Sequence, residues 1–128
     1  MIAAQGGHGA LTLYLKYPEL YKSASAFAPI CEPTKCQWGE KAFKGYLAGG
    51  VEEGAKHDAT ALLKGAGKDR KLDILIDSGL GDNFYSQGQL RPESLQEAAK
   101  SAHGDVTLNL CDGYDHSYWF IQVRCSRC

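Results

Sequence analysis

The spacing of apolar positions changes period along the chain, and each change marks an element. Within residues 8–17, Leu11, Tyr14 and Leu15 recur at helical spacing, while Leu13 falls on another side, so the reading is a helix buried over a wide surface. Gly6, Gly7 and Gly9 open it and Pro18 closes it. Residues 23–27 are small and extended and precede Pro29, which predicts a short buried strand. Residues 30–40, with Cys31, Pro33, Cys36 and Trp38, read as a loop, and 41–47 as a short helix ended by Gly49-Gly50. Asp58 is placed to cap a helix over 59–64. Leu72-Asp73-Ile74-Leu75-Ile76 is an almost uninterrupted apolar run, as in a parallel strand covered on both faces, and residues 78–81 break it. Pro92 suits the first turn of a helix whose face is Leu95, Ala98, Ala99 and Ala102. Val106, Leu108 and Leu110 alternate with Thr107 and Asn109, the period of a strand, and 118–123 starts a final helix.

Helix, strand, helices, strand, helix, strand, helix is the order of an α/β sheet. The glycine-rich opening of the first helix ordinarily follows a strand, so the first βα unit reads as cut in its middle. With 128 residues, 44% hydrophobic and 23% charged, the chain has room for one globular domain at most. A net charge of -1 argues against nucleic acid or an anionic membrane as partner. Apolar runs fall short of the roughly 18 residues a membrane span needs, and the N-terminus lacks the pattern of a secretory signal, so the expected location is the cytoplasm. Cys31, Cys36, Cys111, Cys125 and Cys128 are odd in number, which argues against a disulfide framework. Cys125-Ser126-Arg127-Cys128 has the spacing of half a zinc site without a second half, and free thiols are the better reading.

In open α/β sheets, reactive groups sit in loops at the carboxyl ends of strands. Three segments occupy such places. Gln5-Gly6-Gly7-His8-Gly9-Ala10 makes a tight entry into a helix, whose free N–H groups face whatever binds there. Ser78-Gly79-Leu80-Gly81-Asp82-Asn83-Phe84 follows one strand, and Gly113-Tyr114-Asp115-His116-Ser117-Tyr118 follows the last. A carboxylate and a later imidazole on successive strand-end loops are the acid and base of a hydrolase relay, in the chain order nucleophile, acid, base of α/β-hydrolases. Taken alone, an Asp and a later His after strands are weak evidence, and a cap and a solvated side chain are the commoner roles for such residues.

Several longer segments resemble the S-formylglutathione hydrolase (esterase D) family. They are Gly6-Gly7-His8-Gly9-Ala10-Leu11, Ser25-Ala26-Phe27-Ala28-Pro29-Ile30-Cys31, the stretch from Trp38 to Leu47, Leu72-Asp73-Ile74-Leu75-Ile76-Asp77 and Gly113-Tyr114-Asp115-His116-Ser117-Tyr118. The resemblance runs almost ungapped from Gln5 to Ile121 and implies a partial α/β-hydrolase fold, its C-terminal half, over 1–121, followed by a divergent tail over 122–128. It implies a serine esterase without cofactor or metal that cleaves S-formylglutathione to formate and glutathione in formaldehyde catabolism, and simple esters besides. Residue by residue, Asp82 matches the triad acid, His116 the general base, and Gln5 the position whose backbone N–H is one oxyanion donor. The family places its nucleophile in Gly-His-Ser-x-Gly-Gly-His-Gly; here the corresponding run is Ile2-Ala3-Ala4-Gln5-Gly6-Gly7-His8-Gly9, and Ala4 stands at the serine. A methyl group forms no acyl intermediate. The strands the family places before this turn, with the second oxyanion donor, are also missing. The expectation is a truncated form, inactive alone. The rival expectation is an interaction protein that self-associates, docks onto a full-length hydrolase, or binds glutathione without turnover, since a half-domain exposes strand edges and apolar helix faces.

Other candidates weigh less. His8 reads as a packing residue at the helix start, and His57 and His103 as surface groups. Ser117 neighbours His116, which does not give it the geometry of a nucleophile. Cys31 reads as a small buried apolar residue. Trp38, Phe43 and Tyr46 line a substrate pocket by resemblance, with Trp38 the candidate binding residue; core packing is the competing reading. Gly7-His8-Gly9 lacks the remainder of a dinucleotide fingerprint, and Gly65-Ala66-Gly67-Lys68-Asp69 lacks the hydroxyl residue of a phosphate loop.

Overall fold

The structure is a computed structural model and describes residues 4–66, 71–102 and 104–125, without the Cys125 side chain. Met1, the Gly67-Lys68-Asp69 stretch, His103 and Cys128 lie outside the described residues. Three strands, β1 (Ala24–Phe27), β2 (Ile74–Gly79) and β3 (Val106–Cys111), form a parallel sheet in the order β1-β2-β3. Ala24 lies opposite Ile74, and Ile74 opposite Val106. Parallel neighbours need crossovers. Between β1 and β2 these are α2 (Gln37–Tyr46), α3 (Gly50–Gly54) and α4 (Ala59–Gly65), with single 3-10 turns at Pro33–Lys35 and Ala55–His57. Between β2 and β3 they are α5 (Asn83–Ser86) and α6 (Pro92–Ser101). Helix α1 (Gln5–Lys16) precedes the sheet and α7 (Tyr118–Cys125) follows it, running past residue 121.

One apolar cluster joins α1, α4 and α6 to the sheet through Leu11, Tyr14, Leu63, Ile74, Ile76, Leu95 and Ala98. Ile76 and Leu63 are fully buried, each worth about 1.5–3 kcal/mol by removal from water. Leu13 is 45% exposed, but apart from it and Gln5 every residue of α1 is buried or half-buried, in keeping with the wide buried surface expected of it. A second cluster of Phe27, Ala28, Ile30, Cys36, Leu90 and Phe120 lies around the carboxyl end of β1 and beneath α7.

Two boundaries depart from expectation. Helix α2 begins at Gln37 inside the expected loop, because Cys36 caps it with its thiol accepting from the Gly39 N–H at 3.4 Å. Strand β2 continues through Ser78 and Gly79, where a break was expected. Glycine is needed at 79 for another reason: a Cβ there would sit 2.2 Å from the Tyr114 carbonyl oxygen of the neighbouring loop. The Asp58 cap is present, its Oδ1 accepting from the Ala61 N–H at 2.9 Å.

Candidate functional site

The chain leaving β2 carries Asp82, the chain leaving β3 carries His116, and Ala4, ahead of α1, is bonded to the end of β1. Ala4 stands immediately before α1. Its N–H donates to the Phe27 carbonyl at 3.1 Å, at the end of β1, and its own carbonyl accepts from the His8 N–H at 3.0 Å. These bonds hold Ala4 at φ 48 and ψ -105, a conformation that side-chain-bearing residues rarely adopt. Gln5 opens α1, so its N–H is among the first-turn donors that lack an intrahelical acceptor.

Asp82 lies just beyond β2 and is 1% exposed. Its Oδ1 accepts from the Phe84 N–H at 2.8 Å, which caps α5, and its Oδ2 is 2.5 Å from His116 Nδ1. With both carboxylate oxygens accepting in this way, Nδ1 is the donor of the contact and the ring is held with Nε2 turned away from Asp82. Among the described residues Nε2 has no hydrogen-bond partner. The loop holding His116 is tied to the end of β2 by Leu80 N–H donating to the Cys111 carbonyl at 2.9 Å and Gly81 N–H donating to the Tyr114 carbonyl at 2.9 Å. Next to the ring, Asp115 accepts from the Ser117 N–H at 3.1 Å, and hydrogen bonding to Ser117 holds this exposed carboxyl below its usual range. Ser117 thus serves the turn.

Trp38 reaches this group through an aromatic relay. Its ring meets Phe84 edge to face at 4.6 Å, and Phe84 meets the His116 ring at 4.9 Å. Trp38 is 39% exposed, so it stands at a surface rather than in the core. An open cleft of about 320 Å³ is bounded by Asp82, Phe84, Gln87, Asp115 and His116. Phe84 was not singled out from sequence; its position two residues beyond Asp82, in the helix the carboxylate caps, is the signal that could have found it.

The remaining candidates lie elsewhere. His8 donates from Nδ1 to the Ile30 carbonyl at 3.2 Å, and burial pushes its imidazole below the usual range. His57 Nδ1 accepts from Lys16 Nζ at 3.0 Å. Burial pushes the Cys31 thiol well up, away from thiolate chemistry. Phe43 packs on Gly54, while Tyr46 is 89% exposed, neither core nor beside the imidazole. Among the described residues no three His, Cys, Asp or Glu side chains converge to hold a metal ion, and no helix is long and apolar enough to cross a membrane.

The family described as Esterase matches residues 3–123. S-formylglutathione hydrolase of Mus musculus is 49% identical over 118 residues, 92% of this chain and 42% of that protein. The Arabidopsis thaliana S-formylglutathione hydrolase is 47% identical, over 92% of this chain and 41% of its own length. A solved S-formylglutathione hydrolase from Agrobacterium tumefaciens superposes with a TM-score of 0.85 at 40% identity, covering 94% of this chain and 43% of that one. A Staphylococcus aureus structure at 19% identity, with a TM-score of 0.71, shares the fold. The chain spans about two-fifths of the length of the curated relatives it matches.

Proposed function

As the chain belongs to the esterase family over residues 3–123, we propose that it carries the acid and base of a serine-hydrolase relay of the S-formylglutathione hydrolase type, with Ala4 at the nucleophile position and no turnover by the chain alone. The observation that carries this reading is the Asp82–His116 contact of 2.5 Å with Nε2 left open. In such a relay the imidazole takes the proton of the attacking hydroxyl and returns it to the leaving group, while the carboxylate holds the tautomer and stabilises the imidazolium. The substrate class is a thioester or simple ester, S-formylglutathione in the relatives' case, bound over the cleft that Phe84 lines, with Trp38 packed against that ring. With a methyl at Ala4 the proton to be taken and the bond to be acylated are both absent. The reading places the chain in the cytoplasm and requires neither metal nor cofactor.

A second reading is a docking role on a full-length hydrolase, favoured by the exposure of Tyr46, Tyr118 and Trp119. One set of measurements on the pure chain addresses both: a fluorophosphonate probe, a chromogenic acetate ester, and size-exclusion chromatography with a full-length relative. Absence of label and turnover is the expected result for the first reading. Label and turnover that vanish in His116→Ala would mean that another residue attacks. Co-elution at micromolar concentration would support docking, and separate elution would count against it.

A further inference from the structure

The family match ends at residue 123, and the residue that follows makes a contact with consequences for His116. Arg124, in the last turn of α7, donates from Nε to Asp77 Oδ2 at 3.1 Å and from Nη2 to Asp77 Oδ1 at 3.2 Å. Asp77 is 2% exposed, in the central strand β2. Its Oδ1 also accepts from Asn109 Nδ2 on β3 at 2.7 Å, and its backbone carbonyl accepts from the Ala28 N–H at 2.7 Å, just past β1. The buried Asp77 carboxylate therefore ties β2 to β3 and to α7, while its backbone carbonyl holds the exit of β1.

We propose that Arg124 is a positioning residue for the Asp82–His116 pair, acting through Asp77 and α7. The inference rests on the reading of that pair as acid and base. Helix α7 begins at Tyr118, two residues after His116, so its placement sets one end of the His116 loop. Gly81 and Leu80 fix the other end at Tyr114 and Cys111. Phe120, buried among Phe27, Ala28 and Leu90, seats α7 on the sheet. An apolar contact is non-directional and leaves the helix free to roll about it. Arg124 lies one turn further along, on the same face as Phe120. Its two-pronged contact with a carboxylate is directional and removes that freedom. A roll of α7 would carry Ser117 and the imidazole with it and open the contact to Asp82.

The test is nitrogen-15 histidine NMR on the intact chain, reading the His116 tautomer and the exchange rate of its Nδ1 proton, with the β2 amides as internal reference. Arg124→Lys keeps the charge and loses the fork. Asp77→Asn combined with Arg124→Met removes both charges, so that neither is left buried and unpaired. The expected result in both variants is exchange of the His116 Nδ1 proton at least about tenfold faster, with β2 amide protection kept. Exchange within about twofold of the parent in both variants would overturn the role of Arg124 and leave the pair standing. Loss of β2 protection in step with the imidazole in both would assign Arg124 to the fold at large and equally overturn it. If the parent chain itself lacks the Nδ1-protonated tautomer, the reading of the pair fails first.

Discussion

Ala4 stands against the end of β1 and the Asp82–His116 pair joins the loops after β2 and β3, and in the proposed reading they are opposite halves of one device. At Ala4 the backbone is unusual, φ 48 and ψ -105, and the side chain is inert. At Asp82 the backbone is ordinary, φ -73 and ψ 119, and the side chain is doubly engaged, with the Phe84 N–H and the His116 ring. Backbone strain of the first kind costs on the order of 1–3 kcal/mol and persists only where surroundings impose it. Here the imposing contacts are the Phe27 carbonyl and the first turn of α1. The contrast teaches that the corner's shape is set by packing of the chain around it, independent of whether a reactive atom sits there, whereas the pair is set by a capping carboxylate that would be needed for α5 in any case.

Replacing the missing atom breaks the contrast most directly. Ala4→Ser should acquire fluorophosphonate labelling at least about a hundredfold faster than the parent, the scale of general-base assistance, and lose it again when combined with His116→Ala. An unlabelled Ala4→Ser chain that remains folded would show that the corner does not face the imidazole. A smaller effect separates strain from chemistry. Ala4→Gly should raise stability by about 1 kcal/mol, or a few degrees in Tm, since glycine adopts positive φ without penalty. A fall in Tm would mean that the methyl contributes more by packing than the corner costs.

The smallest effect probes the corner alone. His8 donates its N–H to the Ala4 carbonyl, and burial holds its imidazole below 6.5, against the raising influence of the Ile30 carbonyl and Asp58. As pH falls through 6.5 the unfolded chain takes up this proton before the folded one does. The associated stability is therefore complete above 6.5 and is lost as pH falls toward the lower folded value. The urea midpoint should decline from pH 7 to 5.5 by an amount equivalent to less than about 1 kcal/mol, and His8→Gln should flatten that part of the decline. An identical pH profile in His8→Gln would remove His8 from the account.

Much of this was legible in the sequence because periodicity and capping are local. The run 72–76, the alternation from Val106 to Leu110 and the cap at Asp58 all announce elements that are present. What escaped was non-local. Glycine at 79 reads as a strand break in isolation, and only the Tyr114 carbonyl against it shows that the strand continues through it. Cys36 is an unusual cap, so α2 was read as starting four residues late. Arg124 lies where the resemblance had ended, and its partner Asp77 is distant in sequence; no period or spacing connects them. Phe84 likewise acquires meaning only once Trp38 and His116 are brought to its two sides.

The sheet order described above has a consequence for how the polypeptide comes off the ribosome. Among the described residues every strand pairing is parallel, so none of them is a hairpin that zips up locally. Ala24 must find Ile74, about 50 positions later, and Ile74 must find Val106, about 32 positions later. Long-range pairing of this kind places a chain among the slower folders of its size. At a synthesis rate of about 5–20 residues per second, α1 and β1 wait roughly 3–10 s before β2 has even emerged beside them.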